Sequence, residues 1–552
     1  MKKLMIIVLL LGLVMPASWY LFGHGYFIMH DDLQVMRVYE MSRCFVDGQI
    51  PCRWSPDMAY GYGQAMFNFY SALPYYIGQF LRMIIPLSIL GTVKSLFIIS
   101  ILLSAIGMYL LGKEFWGRLG GLLSAVLYVY APYHALDVFV RGALAESFAL
   151  ALIPFLWLFL YRLVDKPSYK NFALSAIFLA ALLATHNISS LIYAPFSFLW
   201  VGFWVVYKKS WKSIINIVLS GLLGIGLAAF FLLPAVFEQL LVQINNLIGG
   251  YSDYHAHFVT LTQLFLERKW GFGPSIFGPY DDLSFQVGWP LWLLAVPELV
   301  VGIRWVLKKN IKGFLVLGLL GLFLVSSFLT HSKSLFVWEN LPLISFVQFP
   351  WRFLGLVIFF LSFAGGSLAV PNVFLRKGVI AVLIVLTIGL NLAYFTPRNF
   401  SREIRDGDKL TGVGWELQQK AAILDYLPKT AEVAPPAEAA SQPKVISGIG
   451  DISSFTKQTN RFSFDADIYS HALVVVPVMY FPNWVVIVNN KEVPVEINGA
   501  HGVIAVNLPA GKHIVRGRVT DTPIRSFANW ITVLSFAILI GGLVISEQKL
   551  QR

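Results

Sequence analysis

Two adjacent carboxylates follow the first apolar segment of the chain. His30, Asp31 and Asp32 begin eight residues after Phe22, where that segment ends. Such a pair beside a membrane is costly unless water, a cation or a substrate compensates the charge. One member can cap the helix that the pattern predicts over about 32–47. A cap accounts for one carboxylate but not for two beside a histidine, so the motif is a candidate functional site.

Two further motifs carry complementary charges. Arg141 and Glu146 flank a short polar stretch just before an apolar run. They form either an exposed ion pair of little energetic consequence or a cation and a second acid that face the first motif. Arg352 begins another apolar run, and an arginine at that depth needs an anion, for which a lipid phosphate is the candidate. His186 is either a structural hydrogen-bonding residue or a substrate ligand.

The remaining chemistry-bearing residues give weaker indications. Asp253, His255 and His257 have ligand spacing without the frame of a metal site, so we assign no metal. We assign no cofactor either, and leave a requirement for a divalent cation open. Cys44 and Cys52 are the only cysteines, and whether they form a disulfide is also left open.

These motifs lie between long apolar runs. The 552 residues are 57% hydrophobic and 13% charged, about half the charged fraction of a typical soluble protein. Runs of this length fit a bilayer, which roughly 20 helical residues cross. We therefore predict a multi-pass α-helical membrane protein with about twelve transmembrane helices. The spans are 4–22, 93–112, 119–134, 146–163, 171–187, 188–207, 212–234, 288–307, 313–330, 351–370, 378–396 and 526–545.

The lysines and arginines orient these spans. With the first helix retained and the N-terminus inside, twelve spans place every basic cluster between them on the cytoplasmic side. Counting 74–90 as a further span would reverse five of those clusters, so we predict an interfacial or re-entrant helix there. The polar chemistry then falls on the outer face, in loops 23–92, 135–145, 235–287 and 331–350.

A soluble domain interrupts the apolar pattern near the C-terminus. We divide the chain into a transmembrane domain, 1–396, an extracytoplasmic domain, 397–525, and a last helix with a cytoplasmic tail, 526–552. Alternating β-branched stretches predict a small β-sandwich from about 445, with one strand over 493–497. Residues 397–525 hold 14 Lys and Arg against 13 Asp and Glu. The net charge of +12 is therefore concentrated beside the membrane, which argues against nucleic acid.

The arrangement of the acidic loops resembles the GT-C superfamily of membrane glycosyltransferases. More closely, several motifs resemble bacterial and archaeal membrane proteins labelled 6-pyruvoyl-tetrahydropterin synthase-related, and the C-terminal region resembles YfhO-like membrane proteins. The motifs are His30-Asp31-Asp32, Ile50 to Asp57, Gly61-Tyr62-Gly63, Phe67 to Tyr70, Arg141 to Glu146, Thr185-His186-Asn187, Gln348 to Phe353 and, for the C-terminal region, Tyr480 to Trp484.

The resemblance implies an inverting glycosyltransferase of the plasma membrane. It would move a sugar from a polyprenyl phosphate to an extracytoplasmic glycan, lipid or protein, with Asp31 as general base. The implied catalytic residues are Asp31, Asp32 and Glu146, and the implied substrate-binding residues are His30, Arg53, Arg141, His186 and Arg352. Two alternatives stay open: a transporter or flippase of a lipid-linked intermediate, and a non-catalytic envelope scaffold.

Overall fold

The computed structural model of the chain describes residues 2–244, 249–369 and 373–551. Position 370, at the end of one predicted span, and Arg552 of the predicted tail lie outside these residues. The described helices are α1 (Lys2–Ala17), α2 (Gln34–Val46), α3 (Leu73–Ile84), α4 (Ile89–Val129), α5 (Pro132–Leu136), α6 (Leu144–Asp165), α7 (Tyr169–Thr185), α8 (Asn187–Lys208), α9 (Ser213–Leu227), α10 (Ala229–Phe237), α11 (Trp289–Leu307), α12 (Ile311–Thr330), α13 (Leu335–Asn340), α14 (Leu354–Gly365), α15 (Val373–Asn391), α16 (Asp406–Leu410), α17 (Gly412–Ala422) and α18 (Pro523–Gln551).

The helical part has the dimensions of a membrane bundle. Within the described ranges, eight helices are long and apolar enough to cross a membrane, or nine if the pair α9 and α10, bent by 77°, is one span. α1 and α7 are shorter apolar helices. Each predicted span has a helical counterpart, so the multi-pass architecture is confirmed. Fewer than twelve of the described helices are long enough by themselves to cross a membrane.

Two predicted spans form a helical hairpin within α4. α4 has 41 residues and is interrupted at Gly117, whose φ of 76° lies in the left-handed region that glycine tolerates. A Cβ on Gly121 would lie 2.6 Å from the carbonyl oxygen of Tyr109, although a continuous helix would separate these residues by about 18 Å. The chain therefore turns back at Gly117, and the predicted spans 93–112 and 119–134 pack against each other as two helices.

The segment 74–90 contains a short helix. α3 has 12 residues, or about 18 Å, which is too short to cross a bilayer. Phe80, Met83 and Ile84 on this helix are exposed, whereas Tyr75 and Gln79 are buried. The helix therefore presents an apolar face outward, as a helix lying along a membrane surface does.

Hydrogen bonds from buried side chains join the central helices. Tyr128 Oη of α4 donates to the carbonyl of Leu150 in α6 over 2.8 Å. Trp116 Nε1 of α4 donates to the carbonyl of Phe363 in α14 over 2.7 Å. Each donor satisfies a polar group that burial would otherwise leave costly, so α4, α6 and α14 form a rigid support for the loops at their ends.

The soluble domain is a two-sheet sandwich. One antiparallel sheet has the order β1-β4-β8-β7 and the other β2-β3-β9-β5-β6. Apolar side chains of both sheets form one core, as the alternating sequence predicts. The strands are β1 (Lys444–Ser447), β2 (Gly450–Lys457), β3 (Arg461–Ile468), β4 (Ala472–Met479), β5 (Trp484–Val488), β6 (Lys491–Val493), β7 (Glu496–Asn498), β8 (Val503–Leu508) and β9 (Gly511–Val519).

The single strand predicted over 493–497 is wrong. β6 ends at Val493 and pairs with β5, whereas β7 begins at Glu496 and pairs with β8 in the other sheet. Pro494 lies between them and has no N–H to donate to a sheet. The chain therefore passes from one sheet to the other at the proline, which an alternating apolar pattern does not reveal.

The sandwich shares its core with the first predicted outer loop. The ring of Trp54 lies 6.3 Å from that of Phe481 and 5.6 Å from that of Trp484, between ring centroids. The amide of Met479 donates to the carbonyl of Tyr62 over 2.9 Å. Loop and sandwich are therefore one packed unit at the end of the bundle.

The same loop contains a disulfide between Cys44 and Cys52. Cys44 lies on α2, and Cys52 lies in the stretch that leads to Trp54. Both cysteines are buried in the core of the loop. The bond that the sequence leaves open is thus present in the structure.

Candidate active site

Asp31 is held at the start of α2 by an arginine from the same helix. Arg37 Nη1 lies 2.8 Å from Asp31 Oδ2 and 3.1 Å from Oδ1, and the Asp31 side chain is 33% exposed. Gln34 Nε2 donates a further hydrogen bond of 2.9 Å to Oδ2. These donors fix the direction of the carboxylate while leaving part of it open, which suits a group that must meet a substrate.

The first acidic loop is hydrogen-bonded to the second. The amide of His30 donates to the carbonyl of Val140 over 2.9 Å, and that of Asp31 to the carbonyl of Arg141 over 2.8 Å. Gly142 has a φ of 66°, and a Cβ there would lie 2.4 Å from Met29 Sδ. Glycine is therefore required where the two loops pair, because both backbone strain and a clash would follow substitution.

Glu146 lies in a buried cluster of charges at the start of α6. Arg141 Nη2 lies 2.8 Å from Glu146 Oε2, and Tyr133 Oη donates to Oε1. Arg141 also pairs with Asp137. Residues 137–141 form a π-helical turn, which brings Arg141 back towards both carboxylates. Removing one partner of such a buried pair typically costs about 3–5 kcal/mol.

Arg352 brings a second guanidinium to Glu146. Its Nε lies 3.7 Å from Glu146 Oε2, and Nη1 donates to the carbonyl of Val347 over 2.8 Å and to Gln348 Oε1 over 2.7 Å. The guanidinium of Arg141 lies 4.5 Å from the ring centroid of Trp351. Two guanidiniums thus lie beside Glu146, and guanidinium groups are preferred partners of anionic oxygens.

A fourth carboxylate, Asp425, comes from the soluble domain. Its Oδ2 lies 3.5 Å from Arg37 Nη2, so one guanidinium serves both Asp425 and Asp31. Burial raises the pKa of Asp425 to about 6, an effect that Arg37 opposes and Asp31 reinforces. The side chain therefore changes its charge within the range in which cells work.

These groups line one cavity of about 760 Å³. All four predicted outer loops contribute to its wall, together with the start of α8 and the segment after α17. The cavity contains most of the predicted site residues: His30, Asp31, Arg141, Glu146, His186 and Arg352. A volume of this size accommodates a sugar with part of a carrier, and the wall combines apolar side chains with a few charged ones.

Two predicted site residues lie outside the cavity wall. Asp32 pairs with Lys409 of α16, and burial raises its pKa although Lys409 opposes the rise. Arg53 Nη1 donates to Asn68 Oδ1 over 3.0 Å, and Nη2 donates to Asn529 Oδ1 over 2.8 Å. Arg53 thus connects the first loop to α18, and Asp32 connects it to the soluble domain.

The histidines form hydrogen bonds or ion pairs with other residues of the protein. His186 Nδ1 lies 2.7 Å from Ser189 Oγ at the start of α8, and His30 Nε2 lies 2.8 Å from the carbonyl of Phe272. His255 pairs with Asp253 over 2.6 Å, whereas His257 bonds to other residues of the third loop. In the ranges that the structure describes, no group of three acidic, histidine or cysteine side chains has the geometry of a metal site.

Three charged residues of the site are absent from the sequence-based prediction. Asp137 precedes Arg141 by four residues, a spacing that is a signal for an ion pair, whereas Arg37 follows Asp31 by six residues and gives no such signal. Asp425 gives no such signal, because it lies almost 400 positions from Asp31 in the chain.

The matched family agrees with the membrane architecture. Residues 67–396, more than half of the chain, match the family described as "6-pyruvoyl-tetrahydropterin synthase related domain; membrane protein". The chain belongs to this family. A Lactococcus lactis subsp. cremoris (strain MG1363) protein described as uncharacterized is 27% identical over 242 residues. That alignment covers 42% of this chain and 39% of the relative.

Solved structures with some similarity are glycosyltransferases. The arabinofuranosyltransferase AftD from mycobacteria has a TM-score of 0.45 at 14% identity, over 72% of this chain and 27% of its own. An Archaeoglobus fulgidus oligosaccharyltransferase, tethered with an acceptor peptide, has a TM-score of 0.37 at 12% identity, over 70% and 54%. TM-scores of this size do not establish a common fold, so the architecture rests on the elements described above and on the family.

Proposed function

We propose that this family member is a membrane glycosyltransferase. It moves a sugar from a polyprenyl-phosphate-linked donor to an acceptor hydroxyl on the outer side of the plasma membrane. The observation that carries the proposal is that Asp31 and Glu146 line one cavity, on two loops hydrogen-bonded to each other. The sequence resemblance to the GT-C superfamily, which pairs acids from these two loops, supports the same reading.

Two sets of residues in the cavity wall suit the two halves of the reaction. Arg141 and Arg352 both lie beside Glu146, and phosphate is a preferred partner of arginine. Asp31 has a carboxylate that is 33% exposed and can meet a hydroxyl. A donor in the cavity would place its phosphate at the two arginines and its anomeric carbon towards Asp31.

The proposed chemistry is a direct displacement. The acceptor oxygen forms a bond to the anomeric carbon while the bond from that carbon to the phosphate oxygen breaks. The hydroxyl proton passes to Asp31, and the electron pair of the broken bond remains on the phosphate. Arg352 and Arg141 stabilise the charge that develops there, and the configuration at the anomeric carbon inverts.

Asp31→Asn, with Asp32→Asn as a matched control, tests the proposal. The two residues are adjacent, but only Asp31 lines the cavity. A well-placed base contributes about 10²- to 10⁴-fold in rate, so the transfer rate of Asp31→Asn should fall by at least about 10²-fold. Asp32→Asn should lose less, because its carboxylate pairs with Lys409 instead.

The measurement is the envelope glycan and lipid profile of a deletion strain, recorded by mass spectrometry after complementation. The Asp32→Asn gene should restore the wild-type profile and the Asp31→Asn gene should not, at equal protein levels. Restoration by both genes would contradict the assignment of a base in the first loop and would favour a transporter or a scaffold. The reverse pattern would make Asp32 the base.

A further inference from the structure

The soluble domain places three residues in the cavity wall, Ala421, Asp425 and Tyr426. Asp425 and Tyr426 follow α17, and the amide of Asp425 bonds to the carbonyl of Ala422 over 2.9 Å. The carbonyl of Leu427 accepts a hydrogen bond of 2.9 Å from the amide of Gln243 in the third loop. Tyr426 has a φ of 54°, a left-handed conformation that a bulky side chain rarely adopts. The surrounding contacts therefore hold this strained position against the cavity.

The charges around Asp425 disfavour the binding of anions. Arg37 is shared by Asp31 and Asp425, so two carboxylates face one guanidinium when both are ionised. The Arg37 side chain is only 3% exposed, and its Nε has no hydrogen-bond partner among the described residues. The partly exposed carboxylates of Asp31 and Asp425 thus offer oxygens as acceptors, which match the O–H donors of hydroxyl groups.

Aromatic rings lie beside these polar atoms. Tyr426 stacks on Phe69 with 5.5 Å between ring centroids and 23° between ring planes. Tyr70, also in the cavity wall, has the guanidinium of Arg37 3.9 Å from its ring centroid. An aromatic face carries partial negative charge and attracts the weakly positive C–H bonds of a sugar ring. Carboxylates beside aromatic faces are therefore suited to a carbohydrate.

We infer that Asp425 and Tyr426 form an acceptor subsite for an uncharged carbohydrate. The inference rests on the proposed function and adds the chemical class of the acceptor. Asp425 accepts hydrogen bonds from sugar hydroxyls, and Tyr426 packs against the sugar ring. Asp31, which shares Arg37 with Asp425, accepts the proton of the hydroxyl that reacts. An acceptor with a carboxylate or phosphate beside that hydroxyl would meet two like charges and bind more weakly.

The test uses the full chain in lipid nanodiscs on an array of neutral oligosaccharides and the same oligosaccharides carrying a uronate. The neutral members should be retained, and their uronate counterparts should bind about tenfold more weakly or not at all. Asp425→Asn should weaken retention of the neutral members about tenfold or more, since it removes a charged hydrogen-bond acceptor. Asp425→Glu should restore part of it.

Matched variants separate the subsite from folding. Tyr426→Phe keeps the ring and should bind as the wild type does, whereas Tyr426→Leu should lose retention. Asp465→Asn, an exposed position on β3 in the same domain, should change nothing. Each variant is compared at a pH where its Tm is no lower than that of the wild type.

Two outcomes would overturn the inference. One is equal retention by Asp425→Asn and the wild type, and the other is preference for uronate-bearing chains or for peptides. Binding of undecaprenyl phosphate to the same nanodiscs is measured separately. Its absence in the wild type would contradict the proposed lipid-linked donor without bearing on the carbohydrate subsite.

Discussion

Replacing Arg352 tests where the donor phosphate binds. Arg352 Nη1 is engaged by Val347 and Gln348, whereas its Nε is 3.7 Å from Glu146 and has no hydrogen bond among the described residues. One charge-assisted hydrogen bond to a ligand phosphate is worth about 1.5–3 kcal/mol. Its loss in Arg352→Ala corresponds to a Kd that rises by about 10- to 100-fold. Arg352→Lys should recover part of this, because lysine keeps the charge but lacks the planar fork.

The assay compares undecaprenyl phosphate with undecaprenol, which lacks the phosphate, on the full chain in nanodiscs. Arg352→Ala should weaken binding of the phosphate and leave binding of the alcohol unchanged. Arg268→Ala is the matched control, because this outer-loop arginine lies against Trp289, away from the cavity wall. An unchanged Kd for the phosphate would refute the assignment and make Arg141 the next candidate. An equal loss for both lipids would mean that Arg352 acts only through the fold.

Two further predictions concern the loops around the cavity. Because burial raises the pKa of Asp425 from 3.8 to about 6, ionising this residue costs the folded state stability as the pH rises through that interval. Asp425→Asn should therefore match the wild type in Tm near pH 3.8 and exceed it above pH 6, and an equal pH dependence of the two Tm values would contradict the shift. For the bond between Cys44 and Cys52, a thiol assay on unreduced protein should find no free thiol. Reduction should lower the free energy of unfolding by about 2–3 kcal/mol, as the loss of so short a closed loop predicts, and two free thiols before reduction would disprove the bond.

Local patterns predicted much of this architecture. Long apolar runs specify membrane helices because the bilayer leaves no other partner for the backbone, so each predicted span appears as helix. The alternating stretches over 473–519 likewise specify strands. Gly117 separates two packed helices where two spans were expected. The strand signal fails at one residue that changes the backbone: Pro494 divides one expected strand between two sheets.

The candidate site was predicted less completely, because it depends on contacts between distant parts of the chain. The acidic motifs could be found from residue type and position, and six of the eight predicted residues line the cavity. Asp31 and Asp32 could not be told apart, since only the partner of each, Arg37 or Lys409, distinguishes them. Asp425 was missed because its approach to Arg37 depends on how the soluble domain packs on the first loop.

The shared core of the first loop and the sandwich has a consequence for biogenesis. Trp54 leaves the ribosome more than 400 residues before Phe481 and Trp484, the rings that cover it. Until the sandwich has been made and folded, the first loop lacks part of its core, and the cavity lacks the part of its wall that Asp425 supplies. A chain truncated before the sandwich would therefore insert its helices and expose an incomplete apolar surface, the kind of surface that chaperones and proteases recognise. Synthesis of the last quarter of the chain thus sets the time at which the site is first complete.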